Sequence, residues 1–233
     1  QELENMKIDF TSMAVHVLRT PLTVLRGYLN ALSQGGTVAK MNESEIDNLN
    51  NAIAGANELN TLIEDLLHLS EISQGNFKIF PTPINYEGLV SSVVLSYQPV
   101  AKSKGLHIVY NPPLYEFPMI RGDVERIKEL LSNLLSNAVK FTDHGFIEVK
   151  VTHDQKNIIT SVTDTGRGIA KEKQSLVFQK FYREKDNPLE MATGYGLGLF
   201  ISSKIVDAHK GKIWFESREG VGSTFYFSLP ISI

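Results

Sequence analysis

Glu129-Leu-Leu-Ser-Asn-Leu-Leu-Ser-Asn-Ala-Val-Lys-Phe-Thr142 is the stretch on which the reading of this chain turns. Its leucines recur at helical spacing and fill one face. Asn133 and Asn137, four residues apart, project from a single stripe, with Lys140 one turn further on. Two amides and an ammonium in a row are compatible with an ordinary solvated face. They are equally compatible with groups aimed at a polar ligand, and the helix alone does not choose.

Two later motifs bear on that choice. Ile158-Ile-Thr-Ser-Val-Thr-Asp-Thr-Gly-Arg-Gly-Ile169 reads as a strand that ends in Asp164 and opens into a turn with Gly166 and Gly168. A carboxylate at a strand end can accept a hydrogen bond from an exocyclic amine, and glycines let a flat ligand approach the backbone. Gly194-Tyr-Gly-Leu-Gly-Leu-Phe-Ile201 is a glycine-rich turn that feeds a helix whose free N–H groups can hold phosphate. It is not a Walker sequence, and no strand leads directly into it as a dinucleotide fingerprint requires. Each motif is weak alone. Their order gives them weight, with Val177-Phe-Gln-Lys-Phe-Tyr-Arg183 and a polar segment lying between the last two.

Around these motifs, helical patterns at 86–104, 123–141 and 197–209 alternate with strand-like runs at 106–110, 146–152, 157–163, 212–217 and 223–229. The expected fold class is α+β, with an α/β sandwich of one mixed sheet under helices over residues 85–233.

The combination closely resembles the ATP-binding domain of sensor histidine kinases, whose GHKL fold is shared with Hsp90, MutL and type II topoisomerases. The resemblance implies ATP and Mg²⁺ as cofactors. Asn133 and Asn137 match the N box, Asn137 as the Mg²⁺ ligand, with Lys140 and Phe141 beside the nucleotide. Asp164 matches the carboxylate that recognises adenine, with Gly166, Gly168 and Ile169 around the base. Phe178 and Phe181 match the F box; Tyr182 is placed at the nucleotide, and Arg183 matches an arginine that approaches the γ-phosphate. Gly194, Gly196, Leu197, Gly198 and Leu199 match the box that closes over the triphosphate. The tail Gly220-Val-Gly-Ser-Thr-Phe-Tyr-Phe-Ser-Leu-Pro230 matches the closing strand, which makes Thr224 a second adenine contact. The polar stretch from Arg183 to Tyr195 is expected to be a lid over the nucleotide.

Upstream the texture is purely helical. Leu3, Met6, Phe10, Met13, Val17, Val24, Leu25, Tyr28, Leu29 and Leu32 follow helical spacing, with Pro21 bending the helix. Asn42-Glu-Ser-Glu reads as a new cap, followed by a stripe from Ile46 to Leu69. Residues 1–74 thus form a helical hairpin, 75–84 an extended, proline-containing linker. Two helices cannot cover stripes this wide, so two hairpins are expected to pair as a dimeric four-helix bundle, making a homodimer.

His16 sits on the first helix. Packing is one reading. A metal site would want further ligands at helical spacing, but the neighbours are Ser12, Met13, Arg19 and Thr20. His16-Val-Leu-Arg-Thr-Pro-Leu-Thr resembles the H box of the same family, His-Glu-Leu-Arg-Thr-Pro-Leu-Thr, at every place but one, and so extends the resemblance over essentially the whole chain. It implies His16 as the phosphorylated nucleophile, Thr20 as the residue that positions water for dephosphorylation, and a response-regulator receiver domain as partner. Where the family has an acidic residue, this chain has Val17. Loss of general acid–base help costs about 10²–10⁴ in rate, so a slowed autokinase and weak phosphatase activity are expected unless Glu64, Asp65 or Glu71 substitutes.

Two other functions compete with this one. An ATPase of the Hsp90 or MutL kind needs a water-activating Glu four residues before the Mg²⁺ asparagine; Asn133 stands there, and Glu129 is one turn too early unless Asn133 is itself the metal ligand. A scaffold that binds ATP without transferring phosphate is favoured only by Val17.

Composition excludes other classes. A net charge of −3 provides no global basic field for nucleic acid. The absence of cysteine rules out disulfides, thiolate metal sites and cysteine nucleophiles. The first residues begin in mid-pattern, so the chain is expected to be a cytoplasmic portion of a longer sensor, with any membrane segment upstream.

Overall fold

The computed structural model describes residues 18, 22–23, 25–33, 41–112, 117–182 and 195–231. They fall into two compact units that divide between Phe77 and Lys78, except that Tyr195 belongs with the first.

In the first unit, α1 is helical at residues 18, 22, 23 and 25–33. Helix α2 (Glu43–Ser73) starts on a capping box. The Asn42 side chain accepts from the Glu45 N–H at 2.9 Å, and the Glu45 carboxylate accepts from the Asn42 N–H at 2.8 Å. The helix stops where Gly75 takes φ +69°. Leu22 of α1 and Ala56 and Ile63 of α2 form the buried core, with Leu29, Leu66 and Leu67 packed against them. A second apolar stripe stays open: Leu25 is 51% exposed and Tyr28 69%.

The second unit is a five-stranded sheet with α3 (Tyr86–Ser103), α4 (Val124–Phe141) and α5 (Gly198–Ala208) packed on it. Strands β2 (His107–Tyr110), β4 (Phe146–His153), β5 (Asn157–Asp164), β6 (Lys212–Arg218) and β7 (Gly222–Pro230) run in the order β2-β4-β5-β7-β6. Only the β2–β4 pair is parallel, so the sheet is mixed, as its strand pattern suggests. Alternation decides its inner face. Ile147, Val149 and Val151 of β4, Ile158 and Val162 of β5, and Phe225, Phe227 and Leu229 of β7 meet Ile127, Leu130, Leu131, Leu134 and Leu135 of α4 in the core.

Two strands were not foreseen. β1 (Thr82–Ile84), within the 75–84 stretch, pairs antiparallel with β3 (Ile120–Gly122) as a separate ribbon. The ribbon delivers the chain to Asp123, a junction. Its carboxylate caps α4 by accepting from the Arg126 N–H at 3.2 Å and also accepts from the Phe80 N–H at 2.9 Å. Its own N–H donates to His209 Nε2 at 2.9 Å, and His209 Nδ1 lies 2.8 Å from the Ile205 carbonyl it donates to. The buried imidazole therefore fastens the start of α4 to the end of α5, the two helices that frame the site.

Candidate functional site

The site lies in the second unit, where the last turns of α4, the turn after β5, the start of β7 and the start of α5 come together. Asn133, half-buried, donates from Nδ2 to the Gly198 carbonyl at 3.3 Å and so ties α4 to the first turn of α5. Asn137, one turn on, is half-buried and has no hydrogen-bond partner among the described residues, which leaves its amide oxygen available as a ligand. Lys140 Nζ and Arg167 Cζ lie 4.9 and 4.8 Å from the centroid of the Phe141 ring.

Asp164 ends β5 almost fully buried, with 7% of its surface exposed, and makes no ion pair among the described residues. Burial raises its pKa above the ordinary carboxylate value, while hydrogen bonds from the Gly166 and Ser223 backbones pull it down. The Gly166 bond is 2.9 Å. A buried carboxylate with spare acceptor capacity and no cation calls for a donor from outside the chain. The turn that follows runs hard against β6. Gly168 has φ +67°, and a Cβ there would lie 2.0 Å from the Arg218 carbonyl oxygen, so only glycine fits.

Register places one expected residue on the wrong side. Asp164 stands directly opposite Ser223, and Thr163 opposite Thr224. Directly opposed residues share a face, so Thr224 projects with Thr163, their hydroxyls 3.1 Å apart, away from Asp164's face. Ser223, buried and beside Asp164, is the residue that sequence reasoning passed over. The signal was the pairing of β5 with β7, which no local pattern carries.

Helix α5 opens without a side-chain cap: its N-cap is Leu197, fully buried. Its first free N–H groups, at Gly198, Leu199 and Phe200, are an anion-binding feature in waiting. Gly196, with φ +71°, lies so close to Tyr182 that a Cβ would meet the Tyr182 carbonyl oxygen at 2.5 Å. Its carbonyl accepts from the Phe181 N–H at 2.9 Å. The F-box pair divides: Phe178 packs edge-on against Phe215, ring centroids 5.8 Å apart, whereas Phe181 is 59% exposed. Ile169 is held by Ser217, and Tyr182 is half-buried. His16, Val17, Thr20, Arg183 and Gly194 lie outside the described residues. Of the carboxylates considered as substitutes for the missing acid, Glu64 accepts from Asn60 Nδ2 at 2.9 Å on the exposed side of α2, while Asp65 and Glu71 are half-buried.

Among the described residues no cluster of three His, Cys, Asp or Glu could hold a metal. No helix among the described residues is long and apolar enough to cross a membrane.

Two family models match the chain. The His Kinase A (phospho-acceptor) domain covers residues 6–75. The family of histidine kinase-, DNA gyrase B- and HSP90-like ATPases covers residues 122–233. The adaptive-response sensory kinase SasA of Synechocystis sp. is 37% identical over 175 residues, 74% of this chain. The chain spans only 45% of that SasA's length and 61% of the SasA of Crocosphaera subtropica. Among solved structures, the catalytic domain of histidine kinase ThkA is 30% identical, with a TM-score of 0.55 over 66% of this chain and 99% of that one. Full-length ShkA, solved in complex with AMPPNP, is 26% identical, with a TM-score of 0.75 over 96% of this chain and 46% of that one. A phospho-acceptor model and an ATPase-like model match successive parts of one chain whose relatives are histidine kinases: the chain belongs to the sensor histidine kinases.

Proposed function

We propose that the chain is a kinase core in which residues 1–74 form the dimerisation and phosphotransfer hairpin, 75–84 a connector, and 85–233 the ATP-binding domain. In the reaction a His16 ring nitrogen attacks the γ-phosphorus of ATP. A nitrogen–phosphorus bond forms as the bond to the β,γ-bridging oxygen breaks, and ADP leaves. The phosphoryl group then passes to an aspartate of a response-regulator receiver domain.

The observation that carries this reading is Asp164, a buried carboxylate without a cation among the described residues, at the mouth of a glycine-lined turn. The adenine amine supplies the missing donor, with Ser223 rather than Thr224 as the second polar group on that face. Gly166, Gly168 and Ile169 border the base. The free N–H groups of α5, with Gly194 and Gly196 before them, receive the phosphates. Lys140 and Arg183 add positive charge, and Asn137 would hold Mg²⁺, which neutralises phosphate charge when bound. Thr20 positions water for removal of the phosphoryl group from the partner.

The exposed stripe on α1, including Leu25 and Tyr28, supports a homodimer through the bundle. A cytoplasmic placement follows from a reaction that consumes ATP.

Val17 in place of the acid beside His16 makes autophosphorylation slow in this reading, and it is the one feature that favours the scaffold alternative. Labelling with γ-³²P-ATP and Mg²⁺ separates them. Wild type acquires acid-labile, alkali-stable label, His16→Gln none, and Val17→Glu acquires it faster, by about 10²-fold or more. Wild type that binds ATP yet stays unlabelled would establish the scaffold instead.

A further inference from the structure

We propose that Ser217 and Gln174 are positioning residues for recognition of the nucleotide base: together they clasp the turn that follows Asp164 onto the β6–β7 hairpin. The inference rests on the reading of Asp164 as the adenine acceptor. Beyond Asp164 the strand ends; the Thr165 N–H still donates to the Phe146 carbonyl and the Arg167 N–H to the Phe141 carbonyl, each at 3.3 Å, but neither bond reaches the β6–β7 hairpin. The hold of residues 165–170 on the hairpin comes largely from a few bonds at its rim. The Ile169 N–H donates to Ser217 Oγ at 2.8 Å. Gln174, from the 3-10 turn Lys171–Leu176, donates through Nε2 to both the Ile169 and the Ser217 carbonyls, each at 3.1 Å. The Gly220 N–H donates to the Arg167 carbonyl at 2.7 Å.

Ser217 links this turn to the strand that faces it. Its hydroxyl has one proton to give, and the two acceptors in reach are the Gly222 carbonyl at 3.1 Å and Ser223 Oγ at 2.9 Å. Ser223 stands directly opposite Asp164, and its backbone supports the Asp164 carboxylate. One hydroxyl therefore joins the two walls between which a base bonded to Asp164 must lie. Alanine at 217 would leave the Ile169 N–H without its partner, and leucine at 174 would strand two carbonyls. Neither change removes a core side chain, for both residues are half-buried at the rim.

The test compares ADP with purine riboside diphosphate, which lacks the exocyclic amine, by calorimetric titration of the full chain. Wild type should prefer ADP by about tenfold or more, the worth of a hydrogen bond to a charged acceptor. Ser217→Ala and Gln174→Leu should each weaken ADP by about 3- to 10-fold. Affinity for the analogue, held by its phosphates, should stay nearly constant, so the preference collapses. Ser217→Thr, which restores a hydroxyl, should recover it. A wild-type preference that survives both Ser217→Ala and Gln174→Leu, or an equal loss for both ligands, overturns the clasp alone. A wild type that shows no preference overturns the Asp164 reading and the clasp with it.

Discussion

The two units solve the problem of covering apolar surface in opposite ways. In the α/β unit the inner face of the sheet and the apolar face of α4 close on each other, and Ile127, Leu130, Leu131 and Leu135 have no exposed surface. In the hairpin, α1 and α2 share a thin seam around Ile63, while Leu25, Tyr28 and Leu32 remain 51%, 69% and 42% exposed. The α/β unit can complete its core within one chain. The hairpin has apolar surface left over, which a second copy of the same hairpin would bury in the proposed dimer. The difference suits the proposed division of labour, in which the α/β unit holds the nucleotide between fixed walls and the hairpin carries the phosphorylated histidine.

Predictions follow from pressing on that difference. The largest effect is expected from Leu25→Glu combined with Tyr28→Glu. In a two-fold bundle this buries four carboxylates, so sedimentation should show monomers, while ADP affinity of the α/β unit stays at the wild-type value. Dimers that persist would mean that this stripe is not the interface. Leu134→Ala attacks the closed core instead. It should cost about 2–5 kcal/mol in chemical denaturation and leave association intact.

Asp164→Asn should weaken ADP by roughly 10- to 100-fold, as a charged acceptor is lost, without loss of thermal stability. The sign follows from burial. A carboxyl whose pKa is raised on folding contributes stability below its unfolded value, and that contribution is lost as pH rises through the folded value. At neutral pH the wild type therefore carries a cost that the variant escapes. Melting curves of the two should converge as pH falls toward the ordinary carboxylate value of 3.8 and separate, with the variant higher, as pH rises. The smallest effect is Asn42→Ala, which removes the capping box of α2 and should cost about 1 kcal/mol in the hairpin's melting alone.

What could be read from the sequence was what is encoded locally. The period of α4 placed Asn133 and Asn137 on one stripe, and Asn42 with Glu45 announced the start of α2. The alternation of β4, β5 and β7 identified the sheet. The ribbon of β1 and β3 escaped because three-residue strands, one containing Pro83, carry no periodic signal and exist only through pairing across the chain. Thr224 was preferred to Ser223 for a related reason. A shift of one residue along a strand changes the face, and only the register with β5 fixes it. The clasp joins residues 43 and 48 positions apart, through side chains that look like ordinary surface polar groups in sequence.

The most direct test of the account is to map the phosphate on the full chain after incubation with ATP and Mg²⁺, with wild type beside Asp164→Asn. Wild type should carry a phosphoramidate on His16, and at an ATP concentration near its Kd Asp164→Asn should carry roughly 10- to 100-fold less, if the proposed nucleotide site around Asp164 feeds His16. An ATP-binding wild type with His16 unmodified, or phosphate found only as a hydroxyl ester, would contradict it.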